Sequence, residues 1–337
     1  MWRRLLVVVL ALGLALLASR SQAAKPAEEI RTASENGSTT QSGWSSGWVP
    51  LTPGNSVTLA HGLGGDPLNY SVQLWFRDTA VPGHGINTRA YGGLESAGTS
   101  SGVFWRNLTN AEVEVYRYAG DTDADEVRMW IWFPEDPPDY CSPWTAIAAG
   151  GSHIFDHDLG GNPDDYVVGL WFRGPTPAYG INQQFFGGME DSGLNRGAWW
   201  HSLTASTVTV DRAANDLAAN EVRVCITVAD PPSYDSGWVD INVDELKTLT
   251  HNLGGRVDRY VVRAEFKDAV LPGLGIHLQN VGGNAIGATW VGATWQNLTN
   301  SSMRVYRYPN DERTDQVRVR IWERTTSVFL PLILRNY

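Results

Sequence analysis

The sequence predicts an all-β protein made of three tandem antiparallel β-sandwich domains of about 95 residues each. Three observations predict it. Motifs recur at a fixed period: Gly85-Ile86-Asn87, Gly180-Ile181-Asn182 and Gly275-Ile276-His277 lie 95 residues apart. Within each copy, apolar and polar residues alternate between glycine-rich turns, which is the period of a half-buried strand rather than a helix. The composition agrees, because 35 glycines and 15 tryptophans suit short strands, tight turns and aromatic surfaces.

Taken in order, residues 1–23 read as a signal peptide. Arg3 and Arg4 form a basic start, residues 5–17 an apolar run, and Ser21-Gln22-Ala23 a small-residue cleavage site. An exported, secreted or cell-surface chain is therefore expected. No later stretch approaches the roughly 20 apolar residues that a bilayer-spanning helix needs. Residues 24–43, rich in Ser, Thr, Glu and Asn, have almost nothing to bury and are expected to be a disordered leader.

The three units are expected at 44–134, 140–230 and 234–324. Trp48, Trp144 and Trp238 open them, and His61, His157 and His251 each begin a His-x-Leu-Gly-Gly run. Then come Trp105, Trp200 and Trp295, followed by Arg117, Arg212 and Arg307 and by Asp121, Asp216 and Asp311. A one-residue insertion in a turn explains why the early motifs slip in register. Proline- and acid-rich stretches at 134–140 and 230–234 read as semi-rigid spacers. Six strands are expected per unit, in the first around Trp48 through 56–60, then at 70–77, 86–91, 103–107, 113–118 and 127–133. That number of strands over this length is the size of a β-sandwich. Residues 325–337 form an apolar tail similar to the Leu-Pro-Leu-x-Leu-Arg tails of exported bacterial proteins; a docked terminal strand is the alternative.

Charge narrows the partners. Signal cleavage removes three arginines and no acids, so the net charge passes from −10 to −13. Such a chain releases no counterions from a phosphate backbone, which argues against nucleic acid. Cys141 and Cys225 fall in the second unit and permit one disulfide in an exported chain, with two buried thiols as the alternative. By loop-closure entropy a bridge over that separation stabilises by up to about 4–5 kcal/mol.

The candidate binding residues are Trp105, Trp200 and Trp295, since sugars are bound by aromatic rings stacked on the pyranose beside planar polar groups. The competing reading puts the same rings in the core. Arg117 with Asp121, Arg212 with Asp216 and Arg307 with Asp311 read as structural ion pairs across a hairpin turn, fixing register more than adding stability. His61, His157 and His251 read as turn-stabilising residues. Arg128, Trp130, Trp132 and Tyr116 are assigned to one outward face, too aromatic for idle solvent exposure. Repeat 2 has Cys225 and Thr227 at the tryptophan positions, which favours packing between units over three equal sites. Metalloprotease, calcium-loop, nucleophile-elbow and phosphate-loop motifs are absent from the sequence, so no catalytic residue, metal or cofactor is expected.

The pattern resembles the H-type lectin domain. The likeness rests on the opening Gly47-Trp48 and Gly237-Trp238, on Trp200-His201-Ser202 before a turn, and on last strands ending in Trp132 and Trp322. It implies an antiparallel sandwich, assembly as a trimer, and binding of N-acetylgalactosamine or related sugars. It also singles out His201, because Trp105 is followed by Arg106 and Trp295 by Gln296. The first functional expectation is thus a non-catalytic, glycan-binding protein. The second is a structural or adhesive surface protein whose repeats contact other proteins.

Overall fold

The computed structural model describes residues 43–324 apart from 81–82, 90, 92–93, 97–98, 135, 175–178, 185, 187–188, 192–193, 271–272, 280–283 and 287–288. The expected signal peptide, nearly all of the expected leader and the apolar tail therefore lie outside the described residues.

Each repeat is a two-sheet antiparallel sandwich. In the first, Glu126–Trp132 is flanked on one side by Gly43–Ser45 and Val49–Pro50 and on the other by Ser71–Asp78, which pairs with Gly85–Asn87. The opposing sheet is Ser56–Ala60, Glu112–Arg117 and Val103–Arg106 in that order. The other repeats copy this plan, with central strands Tyr166–Arg173 and Glu221–Val228 in the second and Tyr260–Asp268 and Gln316–Glu323 in the third. A 3-10 turn precedes each long strand, and the first is capped by the Asp66 carboxylate accepting from Leu68 N–H. The alternation sends Val113 and Val115, with Val127, Met129 and Ile131 opposite, into a core where all five are fully buried.

Sequence reasoning did not foresee a short hairpin in each repeat, Leu94–Ser96 with Thr99–Ser101 in the first. The three hairpins come together. The reason is ring closure. After the repeated tryptophan, the strand end of each repeat bonds to the Gly-Ile strand of the next: Asn107 N–H donates to Tyr179 (2.9 Å), Ser202 N–H to Leu274 (2.8 Å) and Asn297 N–H to His84 (2.9 Å). The third bond joins repeat 3 back to repeat 1, so the units form a closed pseudo-threefold ring rather than a string. Asn107, Ser202 and Asn297 adopt φ of 52°, 51° and 52°, a left-handed turn that bends each strand end toward its neighbour.

Around the axis the last strands of repeats 2 and 3 reach the 3-10 turn of the preceding repeat. Arg223 Nη1 donates to Leu68 O (3.3 Å), and Arg318 Nη1 to Asp164 O (2.6 Å). Trp130 and Trp132 are covered here, with the Arg324 guanidinium 4.6 and 4.0 Å from their ring centroids. One expectation is corrected: Tyr116 lies on the opposite sheet of the sandwich from Arg128, Trp130 and Trp132. Alternation orients residues within a strand but does not say which sheet the strand joins.

Candidate functional site

The repeated tryptophans are core residues. Trp105 and Trp200 are fully buried and Trp295 is 5% exposed, because each occupies an inward position of its strand. Trp105 Nε1 donates across the seam to Gln183 Oε1 (3.1 Å), and Trp295 meets Trp75 edge-on. None of the three presents a ring face to solvent, which corrects their reading as sugar-stacking residues.

The arginine–aspartate pairs share one geometry. Arg117 Nε lies 2.8 Å from Asp121 Oδ2, its Nη1 donates to Leu51 O (2.7 Å) and its Nη2 to Asp121 O (3.1 Å). Arg212 binds Asp216 and Ile147 O in the same way, and Arg307 binds Asp311 and Ile241 O. Burial pushes the Asp121 and Asp311 carboxyls up, with the guanidinium partners opposing. These pairs tie each hairpin turn to the start of its own repeat. Cys141 and Cys225 are cross-strand neighbours joined by a disulfide. Each histidine of the His-x-Leu-Gly-Gly turns accepts from the leucine N–H two residues on at 3.3 Å.

Where the copies diverge, repeat 2 opens. On the outer face of the strand pair, repeat 1 sets Phe104 opposite Tyr116, with Tyr118 packed 5.1 Å from Tyr116. Repeat 3 has Tyr306 and Tyr308 there, 4.8 Å apart. Repeat 2 instead sets Trp199 opposite Asp211 and follows it with Ala213. Loss of two tyrosine rings leaves a groove of about 390 Å³ lined by Ser152, Trp199, Asp211, Asn215 and the Gly150-Gly151 backbone.

His201 borders this groove. Its Nε2 lies 3.1 Å from Asp211 Oδ2, an electrostatic contact rather than an aligned hydrogen bond, and its Nδ1 lies 3.0 Å from Ser202 Oγ. Burial works against the Asp211 charge, yet the His201 contact and Ser152 hold its carboxyl below the ordinary range. Asp211 is thus an acceptor-only carboxylate, suited to hydroxyl donors. Trp199 Nε1 has no partner among the described residues. Sequence reasoning reached His201 but missed Trp199 and Asp211; the available signal was the break in the tyrosine positions between copies.

Compared with family models, curated proteins and solved structures, the chain matches none. The chemistry must be read from the groove itself. Asp211 is the one carboxylate among its described lining residues, whereas glycoside hydrolysis ordinarily uses a pair flanking the bond. Among the described residues, one group elsewhere has metal-ligand types in proximity: Asp78, His84 and Asp123 at the seam between repeats 3 and 1. Its oxygens already have partners within the protein. Asp78 accepts from the Ala80 and His84 amides, and Arg89 is paired to Asp123.

Proposed function

We propose that the protein is a non-catalytic, exported carbohydrate-binding protein whose sugar site is the groove of repeat 2. The observation that carries this reading is the Trp199–Asp211 cross-strand pair, an indole and an ionised carboxylate opposite each other in a groove where the sister repeats carry tyrosines. The carboxylate accepts from two adjacent hydroxyls and Asn215 offers donor and acceptor, while Trp199, 7% exposed, walls the groove with its indole N–H buried. His201 is a positioning residue that fixes Asp211. This agrees with the likeness to H-type lectins, whose tryptophan–histidine step is best matched at Trp200-His201, and it points to N-acetylgalactosamine-type sugars. The trimer implied by that likeness has a single-chain counterpart in the ring of three repeats. Because the three positions differ in chemistry, binding is monovalent per chain.

A glycan-array screen of residues 24–337 tests it, with Asp211→Ala and Trp199→Ala beside the parent. Binding by the parent and its loss in folded groove variants is expected. Absence of binding, or binding that survives both substitutions, overturns the assignment. Trp200→Ala serves as a control for the core, expected to cost about 3–5 kcal/mol of stability.

Burial of Trp105, Trp200 and Trp295 favours a second reading, a structural or adhesive surface protein. On that reading the array is blank and the ring contacts other proteins.

A further inference from the structure

On the pseudo-threefold axis lies a partly open cavity of about 210 Å³ lined by the long strand of every repeat. An engineered cavity of about 150 Å³ holds benzene, so this one has room for a ring and a polar substituent. Three features give it chemistry. Arg263 lines it and has no hydrogen bond or ion pair among the described residues. Glu265, two residues on, favours its charge, but both carboxylate oxygens bond Arg320 Nη2 at 2.7 Å, so one carboxylate is shared between two guanidinium groups. Arg263, Arg320 and Glu265 together therefore leave one positive charge inside the ring, an expensive arrangement without a counter-ion.

The second feature is Trp75, 3% exposed, which lines the same cavity and whose Nε1 has no acceptor among the described residues. Beside it, the Gln73 amide donates to Val262 O (3.3 Å) while its Oε1 lacks a donor. The third is the register, which places Gln73, Gly169 and Arg263 at equivalent positions of the three strands. A Cβ added at Gly169 would meet only the Cys225 carbonyl, at 3.7 Å, so backbone packing does not demand glycine there. Its missing side chain is what leaves the cavity open.

We propose that the axis is a binding site for a small aryl carboxylate, with Arg263 as counter-charge, Trp75 Nε1 as second donor and Trp171 and Trp295 as apolar walls. Gln73 Oε1 receives a ring hydroxyl. This site is separate from the repeat 2 groove and does not depend on sugar binding.

Calorimetric titration of the full mature chain with benzoate, 4-hydroxybenzoate, benzyl alcohol and inorganic phosphate tests it. One benzoate per chain is expected, with tryptophan fluorescence quenched, 4-hydroxybenzoate tighter, and benzyl alcohol at least tenfold weaker. Arg263→Gln removes the charge, and Gly169→Leu fills the space while keeping it; each is expected to weaken benzoate at least tenfold. The parent titration stands alone should either variant fail to fold. No saturable binding of either aryl carboxylate to the parent overturns the proposal. So does unchanged affinity in both folded variants, or phosphate binding as tightly as benzoate.

Discussion

The backbone amide of Asn297, in the last repeat, donates to the carbonyl of His84, in the first, at 2.9 Å. This contact closes the ring, and its counterparts at Asn107 and Ser202 make the other two seams. Closure has two structural results. The face bearing Trp130 and Trp132 is covered from within the chain, and the three long strands line a common, partly open cavity.

A closed ring and a beaded string differ in size. For residues 43–324, the scaling of compact chains gives a radius of gyration of about 19 Å. Small-angle X-ray scattering of that segment is expected to return this value. Three sandwiches joined only by the spacers at 134–140 and 230–234 would give a much larger one.

The buried arginine–aspartate pairs make a second prediction. Arg212 and Asp216 side chains are 7% and 0% exposed, so Asp216→Ala strands a guanidinium in the core. A loss of about 3–5 kcal/mol is expected for breaking such a pair from one side. Replacing both, as Arg212→Met with Asp216→Leu, is expected to cost less than the single change. Urea denaturation of the three proteins checks the order.

Much of this was legible in the sequence, for definable reasons. The sandwich strands show because one face of each is wet, so the period of two survives in residues such as Val127, Met129 and Ile131. The pairing of Arg117 with Asp121 shows because both recur across a four-residue turn. Ring closure did not show: its bonds run between main-chain atoms of Asn107 and Tyr179, which any side chains permit. The groove was missed for the opposite reason. Recurrence marks what all copies share, which is mostly core, as with Trp105; the groove arises where Asp211 departs from Tyr116 and Tyr306.

The disulfide gives the third prediction. Cys141 and Cys225 are 84 residues apart in sequence and lie only in repeat 2. Reduction, or Cys141→Ser with Cys225→Ser, is expected to cost up to about 4–5 kcal/mol by the chain-entropy model. Hydrogen exchange should show protection lost first in the strands of repeat 2. Equal loss across the repeats would mean that the ring melts as one unit.

The fourth prediction concerns acid. His277 is fully buried where the other repeats carry Asn87 and Asn182. Its neutral ring does what the asparagine amide does: Nε2 lies 2.6 Å from Arg313 O, and Nδ1 accepts from Gln279 N–H at 3.1 Å. A proton on Nδ1 would oppose that amide. Burial first, and nearby His201 and Arg313 charge after it, push the imidazole down to about 4 against the attraction of Asp268 and the Arg313 carbonyl. Its folded value lies below its unfolded one, so the unfolded chain takes up the proton first. Stability is full above pH 6.5 and falls as pH drops toward about 4, by about 3 kcal/mol over the window. His61 and His251, also lowered by burial, act in the same direction, whereas His84, raised by its bond to Asp123, acts against them. His277→Asn keeps both hydrogen bonds and removes the titration. Thermal melts at pH 7 and pH 4.5 are expected to separate the parent by more degrees than the variant. Equal separations would mean that His277 takes no part in the acid response.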